Sequence, residues 1–105
     1  MDRYYDCQQL LVKLEAVLRE SEQWETTAPS RSALLSDQPF AIDTLTCSQW
    51  LQWIFIPKLG QLLVSNLPLP VALDISPYVE EAMAGQNNGQ RILAVTRDID
   101  QLFKQ

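Results

Sequence analysis

The stretch TCSQWLQWIFIPKLGQLLVSN, residues 46–66, decides the fold of this chain of 105 residues. Thr46 and Gln49 have the spacing of a capping box, so we expect a helix to begin here and to run to about Asn66. Apolar side chains cover nearly the whole circumference of this helix. A helix that is apolar on all sides is typically surrounded by protein, which predicts that this one lies at the centre of a bundle.

Pro57 lies inside this predicted helix. It lacks the N–H that would bond to the carbonyl of Trp53, and its ring crowds that carbonyl, so we expect a kink. The thin polar stripe changes side near the same point, since Gln49 and Gln52 lie roughly opposite the polar residues that follow Pro57. The pattern predicts a helix that bends around one neighbour at its start and another at its end.

Three further segments have apolar residues at helical spacing. Residues 4–24 predict an amphipathic helix, and a last helix is expected over residues 90–104, after a turn at residues 87–89. Between them, Ser76 and Pro77 are of the types favoured at a helix cap and first position, and Gly85 is expected to end that helix. The sequence therefore predicts a single all-α domain over residues 1–105, a four-helix bundle with one central helix surrounded by three others.

A long connection without helical periodicity occupies residues 25–45. Pro39 disfavours helical backbone angles at Gln38 and so extends the chain there. A connection of this length in a small domain is usually packed against the core or functional. We expect Phe40, Ile42 and Leu45 to hold it against the bundle.

The composition excludes several classes of chemistry. The chain has no histidine, so histidine-dependent catalytic triads and imidazole metal sites cannot form. Its three isolated glycines make neither a P-loop nor a dinucleotide-binding fingerprint. Thirteen acidic and eight basic residues leave a net charge of −5, which disfavours binding to nucleic acid. We therefore expect a protein that is not an enzyme and that holds no cofactor or metal.

Cys7 and Cys47 lack the neighbours that a zinc site or a disulfide framework requires, and we expect both to be buried free thiols. The N-terminus has no apolar segment of the kind that directs export, and no apolar run approaches the roughly 20 residues of a membrane span. These features predict a soluble, cytoplasmic protein without a membrane segment. They leave open whether it is a monomer or a homodimer.

The most distinctive side chains are Trp50 and Trp53, which lie beside Gln49 and Gln52. Aromatic rings next to amides can stack on a base or anchor a protein partner. The alternative is that both indole rings are core packing of a central helix.

Gln38, Asp43 and Lys58 complete the set of candidate contact residues. Asp43 comes just before the long helix, where a local turn or cap is one interpretation of its role. The other interpretation is that it helps to close a pocket beneath residues 38–45. Lys58 is a candidate contact for a partner or for RNA.

Several pieces of this chain resemble the signature stretch of the YqcC-like bacterial proteins, namely residues 38–40 (QPF), 43–44 (DT) and 50–58 (WLQWIFIPK). Residues 67–70 (LPLP) and 76–78 (SPY) follow at the expected distance. Lys58 and Cys47 depart from the pattern, which has arginine and often an aromatic residue or leucine there. The resemblance implies a bundle of four helices with one central helix ringed by three. Genes of this family often lie beside one for a tRNA pseudouridine synthase, and the family has no established catalytic residues.

Three functions remain open at this point. The first is a non-enzymatic accessory protein that assists tRNA pseudouridine modification through a protein partner, a role that rests on the resemblance. The second is an RNA-contacting factor that uses Trp50, Trp53, Lys58 and Arg31, although the net charge of −5 argues against it. The third is a small-molecule-binding protein with a pocket under the Phe40 segment.

Overall fold

The computed structural model describes residues 3–68, 73–86 and 88–103. Its helices are α1 (Arg3–Glu20), α2 (Arg31–Leu34), α3 (Cys47–Trp50), α4 (Ile56–Val64), α5 (Ser76–Ala82) and α6 (Gly89–Leu102). A 3-10 turn (Pro39–Ala41) precedes α3, and a π-helical segment (Leu51–Phe55) joins α3 to α4 without a break, so that these pieces form one long helix. No strand occurs in the described residues, and the predicted all-α bundle is confirmed.

The first helix, α1, ends before the predicted residue 24, because the left-handed backbone of Glu22 terminates it. Glu22 adopts a left-handed φ of 59°, and the N–H of Gln23 donates to the carbonyl of Leu18 over 2.9 Å. This bond, five residues back along the chain, is the Schellman arrangement that terminates a helix. Most of the apolar stripe predicted for this helix is buried, namely Cys7, Leu11, Leu14, Val17 and Leu18. Its other members, Leu10 and Trp24, are half-buried.

Pro57 is accommodated by the π-helical segment that precedes it. The N–H of Ile56 donates to the carbonyl of Leu51, five residues back instead of four. The wider turn rotates the side chains that follow it relative to those that precede it. The polar stripe of the long helix changes side at the same point. The long helix is therefore irregular just before Pro57, where it forms a π bulge, and the predicted kink stays a prediction.

Burial along the long helix is one-sided, which differs from the all-round burial that its composition predicts. Leu51, Phe55 and Leu59 are buried, whereas Trp53 is half-buried and Val64 is 89% exposed. The buried residues belong to the core cluster that the long helix shares with α1, α5 and α6, whereas residues 57, 58, 61 and 64 on its other side are exposed.

The carboxylate of Asp100 caps α5, a role that the sequence pattern assigns to Ser76. The N–H groups of Ile75 and Ser76 donate to the two carboxylate oxygens of Asp100 over 3.1 and 2.8 Å. The side chain of Ser76 makes no capping bond, and its hydroxyl lies 3.5 Å from that of Thr96. The predicted Ser76 cap is therefore wrong, because a carboxylate from α6 satisfies these N–H groups with a charge-assisted bond.

Two other predicted boundaries move by a few residues. The helix α5 ends before Gly85, which has a φ of 79° and belongs to the turn that follows. The helix α6 begins at Gly89, one residue earlier than expected. The predicted end of the last helix at Lys104, and Asn87 of the predicted turn, lie outside the described residues.

Candidate functional site

Three of the predicted contact residues bind a single acidic residue of the same chain. The side-chain amide of Gln52 accepts from the backbone N–H of Glu25 over 2.8 Å and donates to its carbonyl over 2.6 Å. The carboxylate of Glu25 accepts from the side-chain amide of Gln49 at 3.2 Å and from the indole N–H of Trp53 at 3.3 Å. Glu25 thus ties the chain that follows α1 to the long helix.

This Glu25 network occupies the polar groups that the sequence offers for contact with a partner. Gln52 is buried, and a buried amide without partners costs roughly 1–3 kcal/mol. Gln49 also completes the predicted capping box, because its side-chain oxygen accepts from the N–H of Thr46 over 2.9 Å. Sequence reasoning missed Glu25, which carries no local signal because its side-chain partners lie 24 and 28 residues away.

Gln38 and Asp43 lie on the exposed side of the segment that precedes the long helix. The carboxylate of Asp43 accepts from the hydroxyl of Ser36 over 2.6 Å. The side-chain amide of Gln38 donates to the carboxylate of Asp37 over 3.1 Å. Both residues therefore make local contacts with their own segment, and neither lines the cleft described next.

The 3-10 turn Pro39–Ala41 places Phe40 against the core through a strained backbone. Phe40 and Ala41 have φ values of 57° and 48°, in the left-handed region that residues with a side chain rarely adopt. Such strain costs about 1–3 kcal/mol per residue and persists only where packing compensates for it. Phe40 packs against the core and Leu45 is buried, as predicted. Ile42 is exposed, so its predicted packing against the bundle is wrong, because the turn points it towards solvent.

Phe40 and Trp50 line an apolar cleft of about 350 Å³, which we call the Phe40 cleft. The ring of Phe40 stacks on that of Tyr78 with 4.3 Å between centroids, and it meets the ring of Trp50 edge-on at 5.0 Å. The other lining residues are Ile54, Phe55, Lys58, Leu59, Leu62, Leu73 and Ile75. The volume lies within the range of small-molecule pockets, at its lower end.

Lys58 provides the charge among the described residues that line this cleft. It is exposed, and it forms no ion pair with any residue that the structure describes. An apolar wall beside one unpaired cation fits an apolar group that carries a negative charge. Of the predicted contact residues, the structure thus brings Trp50 and Lys58 together and separates them from the Glu25 network.

Next to this cleft, the thiol of Cys47 contacts the hydroxyl of Tyr78. Burial raises the pKa of Cys47 from the ordinary 9.0 to about 11, and the hydrogen bond with Tyr78 offsets part of that effect. Burial, reinforced by Cys47, raises the pKa of Tyr78 to about 12. Both groups are protonated near neutral pH, and a protonated thiol is a poor nucleophile. Cys7 is buried as well, and both cysteines are free thiols, as predicted.

The described residues contain no helix with both the length and the apolar composition of a membrane span. Nor do their acidic and thiol side chains form a group of three suited to holding a metal ion. What the Phe40 cleft presents is apolar contact and one positive charge.

Known proteins match this chain along most of its length. A family model, DUF446, described as tRNA pseudouridine synthase C, matches residues 6–102. The uncharacterised protein YqcC of Escherichia coli K12 is 42% identical over 95 residues, which are 89% of this chain and 86% of that protein. The chain belongs to the YqcC-like family. Another relative, an uncharacterised protein of Haemophilus influenzae, is 40% identical over 94 residues, or 90% of this chain and 89% of that protein.

The fold of the YqcC-like family is also known from a solved structure. The solution NMR structure of YqcC from E. coli has a TM-score of 0.85 and 38% sequence identity, and the match covers 98% of this chain and 89% of that one. The resemblance drawn from the sequence is therefore confirmed.

One further relative is a much longer protein. It is named tRNA pseudouridine synthase C, comes from Pectobacterium carotovorum subsp. carotovorum, and is 41% identical over 70 residues. These residues are 67% of this chain but only 19% of that protein. A segment that resembles this chain is thus joined, in one polypeptide, to a larger part that does not match it.

Proposed function

We propose that this chain is a non-enzymatic accessory protein that binds tRNA pseudouridine synthase C and assists its action on tRNA. The observation that carries the proposal is the Pectobacterium relative, which bears that name and contains a segment resembling this chain. Joining two modules in one polypeptide gives them a high effective concentration for each other. Where the modules are separate chains, a binding surface is needed to achieve the same proximity.

The chemistry of the side chains supports a helper role instead of a catalytic one. Without histidine, the chain lacks the commonest general base. The thiol of Cys47 is held in its protonated form by burial, which makes it a poor nucleophile. We therefore assign the chemistry to the partner. We expect the chain to lie in the cytoplasm, where the partner acts on its tRNA substrate.

Direct RNA binding is the less supported alternative. A net charge of −5 opposes approach to the phosphate backbone. Of the basic residues, Arg19, Arg91 and Arg97 are engaged in ion pairs with glutamates. The indole N–H of Trp53, which could have faced a base, donates to Glu25.

Mixing the purified chain with tRNA pseudouridine synthase C encoded in the same genome tests the proposal. We expect a complex at micromolar concentrations in size-exclusion chromatography with light scattering. A pseudouridine synthase of a different class is the control and should elute separately. The absence of a complex at tens of micromolar would contradict the proposal, and binding of tRNA to the chain alone with a steep salt dependence would favour the RNA alternative.

A second candidate, a small-molecule-binding protein, is favoured by the Phe40 cleft. Its apolar lining and Lys58 suit a short aliphatic carboxylate. Titration with octanoate, followed by tryptophan fluorescence, tests this function. Lys58→Ala should weaken binding about tenfold, whereas Lys13→Ala, at an exposed position of α1, should leave it unchanged. Binding that ignores the Lys58 substitution would contradict this candidate.

A further inference from the structure

A second groove, of about 330 Å³, runs between α1 and α4 and shares no lining residue with the Phe40 cleft. Its lining is apolar apart from Gln8 and Glu15. Its lining residues follow helical spacing on both helices, at positions 8, 11, 12 and 15 of α1 and 56, 60, 63 and 64 of α4. Two facing stripes of this kind form the groove into which a third helix packs. We call it the α1–α4 groove.

Gly60 lies in this groove, inside α4. Glycine inside a helix is destabilising relative to alanine, so its presence calls for a reason. The packing of the described residues supplies none, because a Cβ added at Gly60 would have no described atom within 4 Å. Gly89 is different, since a Cβ there would lie 2.5 Å from the carbonyl oxygen of Met83. A missing side chain over open space is suited to close approach by a surface outside the chain.

Two exposed valines line the same groove. Val64 is 89% exposed and Val12 is 60% exposed. Exposed apolar residues are ordinary when they are scattered singly. Here they lie together with Gly60 in one concave strip, which is the arrangement of an interaction site.

From the groove, the glycine and the valines, we infer that the α1–α4 groove binds an amphipathic helix of tRNA pseudouridine synthase C. This inference rests on the proposed function and names the surface that performs it. Gly60 lets the partner helix approach closely, and Val12 and Val64 pack against its apolar stripe. The groove thus provides both the shape and the apolar contact that the interaction requires.

The charge of the chain distinguishes this occupant from a second copy of itself. Two copies that each carry a net charge of −5 repel one another. A protein that holds tRNA presents basic surface to the phosphates, and such a surface attracts an acidic chain. The net charge of the chain therefore favours association with the synthase over association of two copies.

Two substitutions that leave the fold intact test the groove. Gly60→Leu fills it with a side chain that α4 accommodates in open space, and Val64→Glu places a charge in it. We expect each to weaken binding to the purified synthase about tenfold or more in isothermal titration calorimetry. Leu35→Glu is the matched control, because Leu35 is 71% exposed and lines neither the groove nor the cleft, and it should bind like the wild type. Circular dichroism checks that every variant is folded.

Each other result of this experiment contradicts the inference. If the wild type binds and both groove variants bind equally well, or if Leu35→Glu weakens binding as much as they do, the groove is not the interface but the proposed function stands. If the wild type does not bind the synthase at all, the groove assignment and the proposed function fail together. If the chain alone sediments as a dimer that Gly60→Leu dissociates, the occupant of the groove is a second copy.

Discussion

Asp100 is a charged side chain in the core that stabilises a helix to which it does not belong. Its carboxylate accepts from two N–H groups at the start of α5. These groups have no partner within their helix and lie at the positive end of its dipole, so a carboxylate there is both hydrogen-bonded and electrostatically favourable. This pairing explains why an acid is buried on the inner face of α6.

Replacing Asp100 with alanine leaves both N–H groups without a partner in the interior. We expect Asp100→Ala to lower the free energy of unfolding by about 2–3 kcal/mol in urea denaturation. Asp98→Ala, at an exposed position of the same helix, is the control and should change it by less than about 0.5 kcal/mol. Similar losses in the two variants would count against the capping role.

Cys47 makes the free energy of unfolding depend on alkaline pH. Its pKa is about 11 in the folded chain and 9.0 for an ordinary thiol, so the folded chain keeps a proton that the unfolded chain releases. The resulting stabilisation is complete below pH 9.0 and is lost as the pH rises towards about 11. The full effect is roughly 2–3 kcal/mol. Cys47→Ala should flatten the decline of unfolding free energy in this window, measured by denaturation at several pH values, and a slope equal to that of the wild type would contradict the assignment.

At the scale of elements, α1 and α4 end in the same way. Glu22 and Asn66 follow them with φ values of 59° and 53°. In each case the N–H of the next residue donates to a carbonyl five residues back, from Gln23 to Leu18 and from Leu67 to Leu62. Asparagine adopts this left-handed conformation more readily than glutamate, so only the end of α4 has a residue typical of the motif.

Substitution by alanine should change the stability in opposite directions at two helical glycines, Gly89 and Gly60. Gly89→Ala forces the junction of α5 and α6 to shift, because the new Cβ lies 2.5 Å from the carbonyl oxygen of Met83, and we expect a loss of about 1–3 kcal/mol. Gly60→Ala meets no described atom within 4 Å and should gain up to about 1 kcal/mol from helix propensity. Thermal unfolding measures both changes. Destabilisation by Gly60→Ala would show that the space above Gly60 is already filled within the chain.

At the scale of the whole molecule, apolar burial contributes more to the stability of the fold than the surface ion pairs do. One cluster of buried residues draws on α1, the long helix, α5 and α6, and the radius of gyration of 13.3 Å is close to the roughly 13 Å expected for this length. The three ion pairs that the described residues form are all exposed, namely Arg19–Glu15, Arg91–Glu20 and Arg97–Glu80. Exposed pairs typically contribute less than about 1 kcal/mol each.

Salt should therefore change the free energy of unfolding very little. Screening weakens the exposed ion pairs, but it also weakens the mutual repulsion of a chain with a net charge of −5. We expect the unfolding free energy from urea denaturation to stay within about 1 kcal/mol between low salt and roughly 0.5 M sodium chloride. A larger loss would mean that the ion pairs hold the helices together.

Short-range features of this chain follow from the sequence by itself. The capping box of Thr46 and Gln49 and the buried stripe of α1 are examples that the structure confirms. Each depends on steric contacts or hydrogen bonds within one or two turns of helix, so neighbouring residues suffice to specify it. The resemblance of residues 38–58 to a known family also depends on a local stretch of sequence, and it predicts the fold of the whole chain.

Only the tertiary structure decided which distant groups meet. Glu25 binds side chains 24 and 28 residues away, and Asp100 caps a helix 24 and 25 residues before it. The tertiary structure also decided that the polar groups of Gln49, Gln52 and Trp53 bond within the chain. It likewise formed the α1–α4 groove, which lies between two helices that are far apart in the sequence. The composition of the long helix shows how apolar it is, but which of its residues are buried depends on the helices that pack against it. Local steric rules act along the chain, whereas partners and exposed surfaces are set by its path through space.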